Sequence, residues 1–133
     1  MIFVDSSIFI AYGMKDDINH KRAVELMEKI ASGRYGSIVT SDYVFDETVT
    51  TIFSSSKSME KAVLAGNIIK ESIEILKIDE VIFEDSWKMF KSQKASRFSF
   101  TDCTSIATIR AGGVEDLASF DKEFERTGIN LIY

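Results

Sequence analysis

Apolar residues fall along this chain in short pure runs separated by longer stretches with helical spacing. Ile2-Phe3-Val4 is wholly apolar, the mark of a strand covered on both faces. Ser6 and Ser7 then stand as caps for a short helix over Ile8 to Tyr12. From His20 to Ala31, Ala23, Leu26, Met27, Ile30 and Ala31 recur at helical spacing, and Gly33 ends the helix. Ser37-Ile38-Val39 reads as a second strand. Thr40, Ser41 and Asp42 offer caps for a helix carrying Val44, Phe45, Thr48, Ile52 and Phe53. A break at Ser54 to Ser58 precedes another helix from Met59 to Glu71.

The alternation of Ile73-Glu74-Ile75, running into Leu76-Lys77-Ile78, predicts an edge strand with one wetter face. Asp79 caps a helix whose buried stripe is expected to hold Ile82, Phe83, Trp87 and Phe90. Thr101 or Asp102 opens the next, which stops at Gly112-Gly113. Leu117 to Phe120 and Asn130 to Tyr133 complete the strands. Strands alternating with helices predict one α/β domain over residues 1–133, with a mainly parallel sheet of about five short strands flanked by helices.

Ligands of such sheets bind outside the carboxyl ends of the strands, where the strand order switches. Asp5 and Asp121 lie just past apolar runs, and Glu47 and Asp102 reach the same edge from opening helical turns. Gathered carboxylates repel one another unless a cation sits between them. A set of hard oxygens suits Mg²⁺ or Mn²⁺. One histidine and one cysteine are too few for a typical zinc site. The reaction class this predicts is metal-assisted phosphoester hydrolysis.

Bulk properties narrow the picture. At 133 residues the chain has room for one substantial core. A net charge of −5 argues against coating nucleic acid by bulk charge, but a metal within the acid cluster supplies local positive charge. No apolar run approaches the roughly 18 residues that span a bilayer. The start, Met1-Ile2-Phe3-Val4-Asp5, lacks a basic signal-peptide region. The lone Cys103 permits no internal disulfide, so a reducing cytosol is the expected compartment. Cys103 itself reads as a small buried residue, His20 as a surface residue, and Asp16 and Asp17 as turn residues.

The motifs resemble those of the PIN domain family, most nearly the small ribonuclease toxins of VapBC-type toxin–antitoxin pairs. Phe3-Val4-Asp5-Ser6-Ser7 is similar to the opening motif, and Ser41 with Glu47 six residues later to the second. Ser99-Phe100-Thr101-Asp102, with Ile106-Ala107 behind it, resembles the third, and Phe120-Asp121-Lys122-Glu123-Phe124 the fourth. Cys103 departs from the alanine most often found there. The resemblance implies a metal-dependent endoribonuclease with Asp5, Glu47, Asp102 and Asp121 as catalytic and metal-holding acids. It also implies Ser7 as the hydroxyl that orients Asp5, with Thr101 in support. Asp46 could substitute for Glu47, although the Ser41 spacing favours Glu47.

Lys88, Lys91, Lys94 and Arg97 recur every third residue among Trp87, Phe90 and Phe98, and are expected to form a slanting ridge for RNA phosphates. The resemblance further implies a cognate antitoxin. Spare apolar residues at Phe45, Ile52, Phe53, Val63 and Leu64 would serve its groove or a homodimer. Two readings compete. A haloacid-dehalogenase-type phosphatase also opens on an apolar strand ending in Asp, but needs an acid where Ser7 stands. A catalytically inactive PIN-type scaffold would bind RNA or protein without cutting.

Overall fold

The computed structural model describes all 133 residues, Met1–Tyr133. The elements run in the order β1 (Ile2–Val4), α1 (Ser6–Gly13), α2 (His20–Ala31), β2 (Ile38–Ser41), α3 (Asp42–Ser56) and α4 (Met59–Ser72). Then follow β3 (Glu74–Leu76), α5 (Glu80–Lys91), α6 (Phe100–Gly112), β4 (Asp116–Ala118), a 3₁₀ turn (Lys122–Thr127) and β5 (Asn130–Ile132). All pairings are parallel, in the strand order β3-β2-β1-β4-β5. The chain is a single α/β domain with a five-stranded parallel sheet flanked by helices. No helix is long and apolar enough to cross a membrane.

β1 is central because its three residues are all apolar and fully buried; only a strand covered on both faces can be so. The outer β3 is the wetter strand, with Glu74 exposed and Ile75 and Leu76 half-buried rather than alternating, as suits an edge. From β1 the chain winds through β2 to β3, then returns to β4 on the other side of β1. The switch point therefore falls between β1 and β4. Phe3, Ile8, Ile30, Val39, Leu117 and Phe124 belong to the one hydrophobic core.

Local chemistry moved several boundaries. Asp5, not Ser6 or Ser7, caps α1, its carboxylate accepting from the Ser7 N–H. β2 continues to Ser41, which caps α3. The expected break at Ser54–Ser56 is helical, and α3 ends only at Lys57, in the left-handed region at φ 54°. Ser54 and Ser56 hydroxyls satisfy carbonyls of the preceding turn, so serine here finishes a helix rather than breaking it. Ser99 opens α6 in place of Thr101 or Asp102.

One expectation about burial fails outright. Phe83, Trp87 and Phe90 are 41%, 46% and 37% exposed, and the buried residue of α5 is Ser86. The Ser86 hydroxyl donates to the Ile82 carbonyl at 2.6 Å, so a small polar residue with its hydrogen bond satisfied faces the interior. The three aromatics gather instead around Phe100 at ring separations of 5.2–6.4 Å. Tyr43 joins Phe100 from α3.

Candidate active site

Asp5 leaves the sheet at the switch point, its N–H bonded to the Ala118 carbonyl of β4. Its side chain is 3% exposed. Both Ser7 Oγ and Ser119 Oγ donate to Asp5 Oδ2 at 2.8 Å. The Phe120 and Asp121 amides in turn donate to Ser7 Oγ and Ser119 Oγ. Each serine thus spends its single proton on Asp5, and backbone fixes its oxygen. Asp5 Oδ1 is buried and has no hydrogen-bond partner. Buried carboxylate oxygens are rarely left so unless something positive reaches them.

Glu47 projects from the second turn of α3, where Ser6 Oγ donates to its Oε2 at 2.6 Å. Burial raises its pKa, the Ser6 hydrogen bond works against the rise, and the charges of Asp5 and Asp46 add to it. Asp46, one residue away and so about 100° round the helix, is exposed and accepts from Thr50. Asp102 sits three residues into α6 in a reciprocal capping box: its Oδ2 accepts from the Ser99 N–H, and Ser99 Oγ from its own N–H. Burial pushes its pKa from the ordinary 3.8 to about 6; hydrogen bonds from Ser99 oppose this, while Asp5 and Glu47 reinforce it.

The structure therefore couples Asp5, Glu47 and Asp102 electrostatically, and anchors each through a serine. Asp121 is placed differently. It is exposed and caps the 3₁₀ turn, its Oδ1 accepting from the Glu123 N–H at 2.9 Å. It lies beside the site through Ser119 but is not among the charges raising Glu47 or Asp102. No three His, Cys, Asp or Glu side chains are already closed around one point as a metal cage. The donor set nonetheless fits a hard cation: oxygen ligands only, one of them orphaned and two held away from easy ionisation.

Ser6 and Ser119 were not among the site residues expected from sequence. Ser119 could have been found as the residue closing the strand beside β1, at the switch point. Ser7, expected to orient Asp5, donates to its Oδ2. Thr101 enters through its carbonyl, which accepts from Thr104 and Ser105. Cys103 is buried, and burial followed by the Asp102 charge lifts its thiol to about 11, leaving it unreactive. His20 is half-buried, its Nδ1 on the Ala11 carbonyl at 2.8 Å, tying α2 to α1. Asp17 makes a turn by accepting from the Asn19 N–H. The expected cationic ridge divides: α5 ends at Lys91, so Lys88 and Lys91 are helical while Lys94 and Arg97 lie in the connection to α6.

Residues 2–130 match the model of the PIN domain. The chain belongs to the PIN domain family. Along 131 residues it is 28% identical to the 23S rRNA-specific endonuclease VapC20 of Mycobacterium tuberculosis, covering 96% of this chain and 95% of the relative. It is 23% identical to a VapC ribonuclease of Archaeoglobus fulgidus, over 98% of this chain and 83% of that one. The crystal structure of M. tuberculosis VapC20, a sarcin-ricin loop cleaving toxin, superposes with a TM-score of 0.86 over 97% of this chain and 96% of that one. VapBC2 from Rickettsia felis, bound to promoter DNA, shares the fold at 20% identity with a TM-score of 0.70, covering 99% and 98%. For this PIN chain, the core acids and the strand switch point coincide.

Proposed function

We propose that this PIN protein is an endoribonuclease, the toxin of a toxin–antitoxin pair, working with Mg²⁺ or Mn²⁺. The observation that carries the reading is the buried, unpartnered Oδ1 of Asp5 beside two carboxylates whose ionisation burial opposes. Asp5 and Asp102 would be the principal metal ligands, with Glu47 and Asp121 completing the set directly or through water. A bound divalent ion there supplies Lewis acidity, polarising a phosphoryl oxygen and lowering the pKa of water. Ser7 and Ser119 hold Asp5 Oδ2, leaving Oδ1 without a protein hydrogen-bond partner. Like its VapC20 relative, the chain would act on RNA. Total cellular RNA incubated with Mn²⁺ should yield discrete fragments that vanish with EDTA; intact RNA across several classes would favour the scaffold reading.

Two surfaces support partner binding. An apolar groove of about 460 Å³ between α1, α2 and α4 includes Phe9, Met27, Leu64 and Ile68, and a second of about 440 Å³ includes Phe45, Phe53 and Val63. These are the faces we assign to an antitoxin segment; Ile52, expected among them, belongs to the core. A homodimer is better served by α5. Its exposed aromatic stripe has Glu80, Glu84, Lys88 and Lys91 on one flank, within about 80° of arc. Acids occupy the first half and lysines the second. An antiparallel copy about a two-fold axis would set each acid against a lysine, which makes the face self-complementary.

A further inference from the structure

Beyond the acids, one pocket concentrates the opposite charge. It lies between the connection 92–99, the last turns of α6 and the end of the 3₁₀ turn, and has a volume of about 340 Å³. Lys94, Arg110 and Arg126 line it together with the polar side chains of Ser96, Gln93 and Thr127. No Asp or Glu is among its lining residues, although the protein carries a net charge of −5.

The walls are built by the chain's own hydrogen bonds. Gln93 closes the connection on itself, its amide donating to the Phe98 carbonyl at 3.0 Å and accepting from the Phe98 N–H at 2.7 Å. Arg110 reaches across to the Thr127 carbonyl at 3.4 Å. Arg126 is steadied from outside by Glu123, at 3.1 Å from its Nε, which partly offsets one of the three charges. Lys94 and Arg110 have no acid within ion-pair distance. Three cations lining one pocket with no acid among the lining residues suit a phosphate, guanidinium groups matching two phosphate oxygens at once; the Ser96 hydroxyl stands beside them, while Thr127 and Gln93 spend their donors on the Phe124, Phe90 and Phe98 carbonyls.

We propose that this pocket is a second subsite, one that seats a phosphate group of an RNA strand away from the bond being cut. The proposal rests on the ribonuclease reading for the source of that phosphate. α6 connects the two places, with Asp102 in its first turn and Arg110 in its last. Eight residues of helix separate them by roughly 12 Å, a span that a few nucleotides of RNA cover. The subsite also resolves how an acidic protein takes hold of a polyanion: affinity comes from a local basic pocket, and the acid centre is left to its cation. Arg110 and Arg126 thereby join Lys94 in a set that linear spacing had not brought together.

The test uses the full chain in EDTA, where RNA is not cut, with inorganic phosphate as the small probe. Titrated phosphate should give saturable amide shifts at Ser96, Arg110 and Thr127, lost in Arg110→Gln/Arg126→Gln and kept in Arg110→Lys. Both arginines are exposed, so the variants should fold, which unchanged far-UV circular dichroism would verify. For RNA, the dissociation constant of the double variant should rise on the order of tenfold per cation, and the salt slope should fall by about 1 for each. Phosphate shifts that never saturate, or that spread evenly over all lysines, would overturn the proposal. So would RNA affinity and salt slope unchanged in the double variant. If wild type binds phosphate and RNA through the pocket yet cuts no RNA with Mn²⁺, the subsite stands and the ribonuclease reading fails.

Discussion

The carboxyl edge of the sheet and the outer face of α5 break the same rule in opposite directions. At the first, charge is inside: Asp5 is 3% exposed, with Glu47 and Asp102 held against it. At the second, aromatic surface is outside, with Trp87 46% exposed and stacked on Phe90 at 5.8 Å. Neither arrangement favours stability by itself, since buried charges cost desolvation and exposed rings forgo burial. Each would be offset by the partner proposed for it, a cation in one case and an apolar cover in the other. Departures of this kind are where sites are found in otherwise regular folds.

The largest effect should come from the acid edge. Asp5→Asn removes a proposed principal ligand and is expected to lower RNA cleavage on the order of a thousandfold, measured on protein whose thermal unfolding shows it folded. The same edge predicts an inverted stability cost. Asp102 has a folded pKa of about 6 against an ordinary 3.8, so its protonated form favours the fold. In EDTA, the contribution of Asp102 to stability should be fullest below about pH 4 and be lost as pH rises through about 6. Asp102→Asn should flatten that decline, and Mn²⁺ should raise the wild-type Tm more at pH 7.5 than at pH 5. A Tm independent of pH and Mn²⁺ would remove the electrostatic half of the comparison.

Next in size is the serine support. Ser119→Ala takes one of two hydroxyls from Asp5 Oδ2, and cleavage should fall about 10- to 100-fold for roughly 1 kcal/mol of stability. On the α5 face, Lys88→Glu/Lys91→Glu should dissociate a homodimer in light scattering with little change in Tm, and adding Glu80→Lys/Glu84→Lys should restore it. A strict wild-type monomer at micromolar concentration would sink the dimer and leave the aromatic face to another cover. The smallest effect belongs to Asp121→Asn. Exposed and occupied in capping, Asp121 should cost less than about tenfold in cleavage, and a loss equal to that of Asp5→Asn would promote it to a principal ligand.

Much of the fold was legible because short pure apolar runs and helical spacing state their periods openly. The ends were less so. Ser54 and Ser56 look like breakers in sequence, but their hydroxyls bond helical carbonyls, a choice that tertiary context makes. The aromatics of α5 have the spacing of a core stripe, and spacing alone cannot say whether a neighbour covers it. Asp5 and Asp102 stood out because one follows a strand and the other opens a helix, and Glu47, in the second turn of α3, through its spacing from Ser41. Ser119 did not, since its partner Asp5 lies 114 residues away. The basic pocket was hidden for the same reason: Lys94, Arg110 and Arg126 meet only once α6 and the 3₁₀ turn are packed.

We propose that Asp5, Glu47 and Asp102 together hold a divalent cation. Calorimetric titration of Mn²⁺ into metal-free protein at pH 7.5 tests it most directly. Wild type should bind saturably, and more tightly at pH 7.5 than at pH 5 because Asp102, whose pKa is raised to about 6, must be ionised to hold the ion, and folded Asp5→Asn and Asp102→Asn should bind far more weakly. Equal binding by wild type and both variants, or none by wild type at millimolar Mn²⁺, would contradict it.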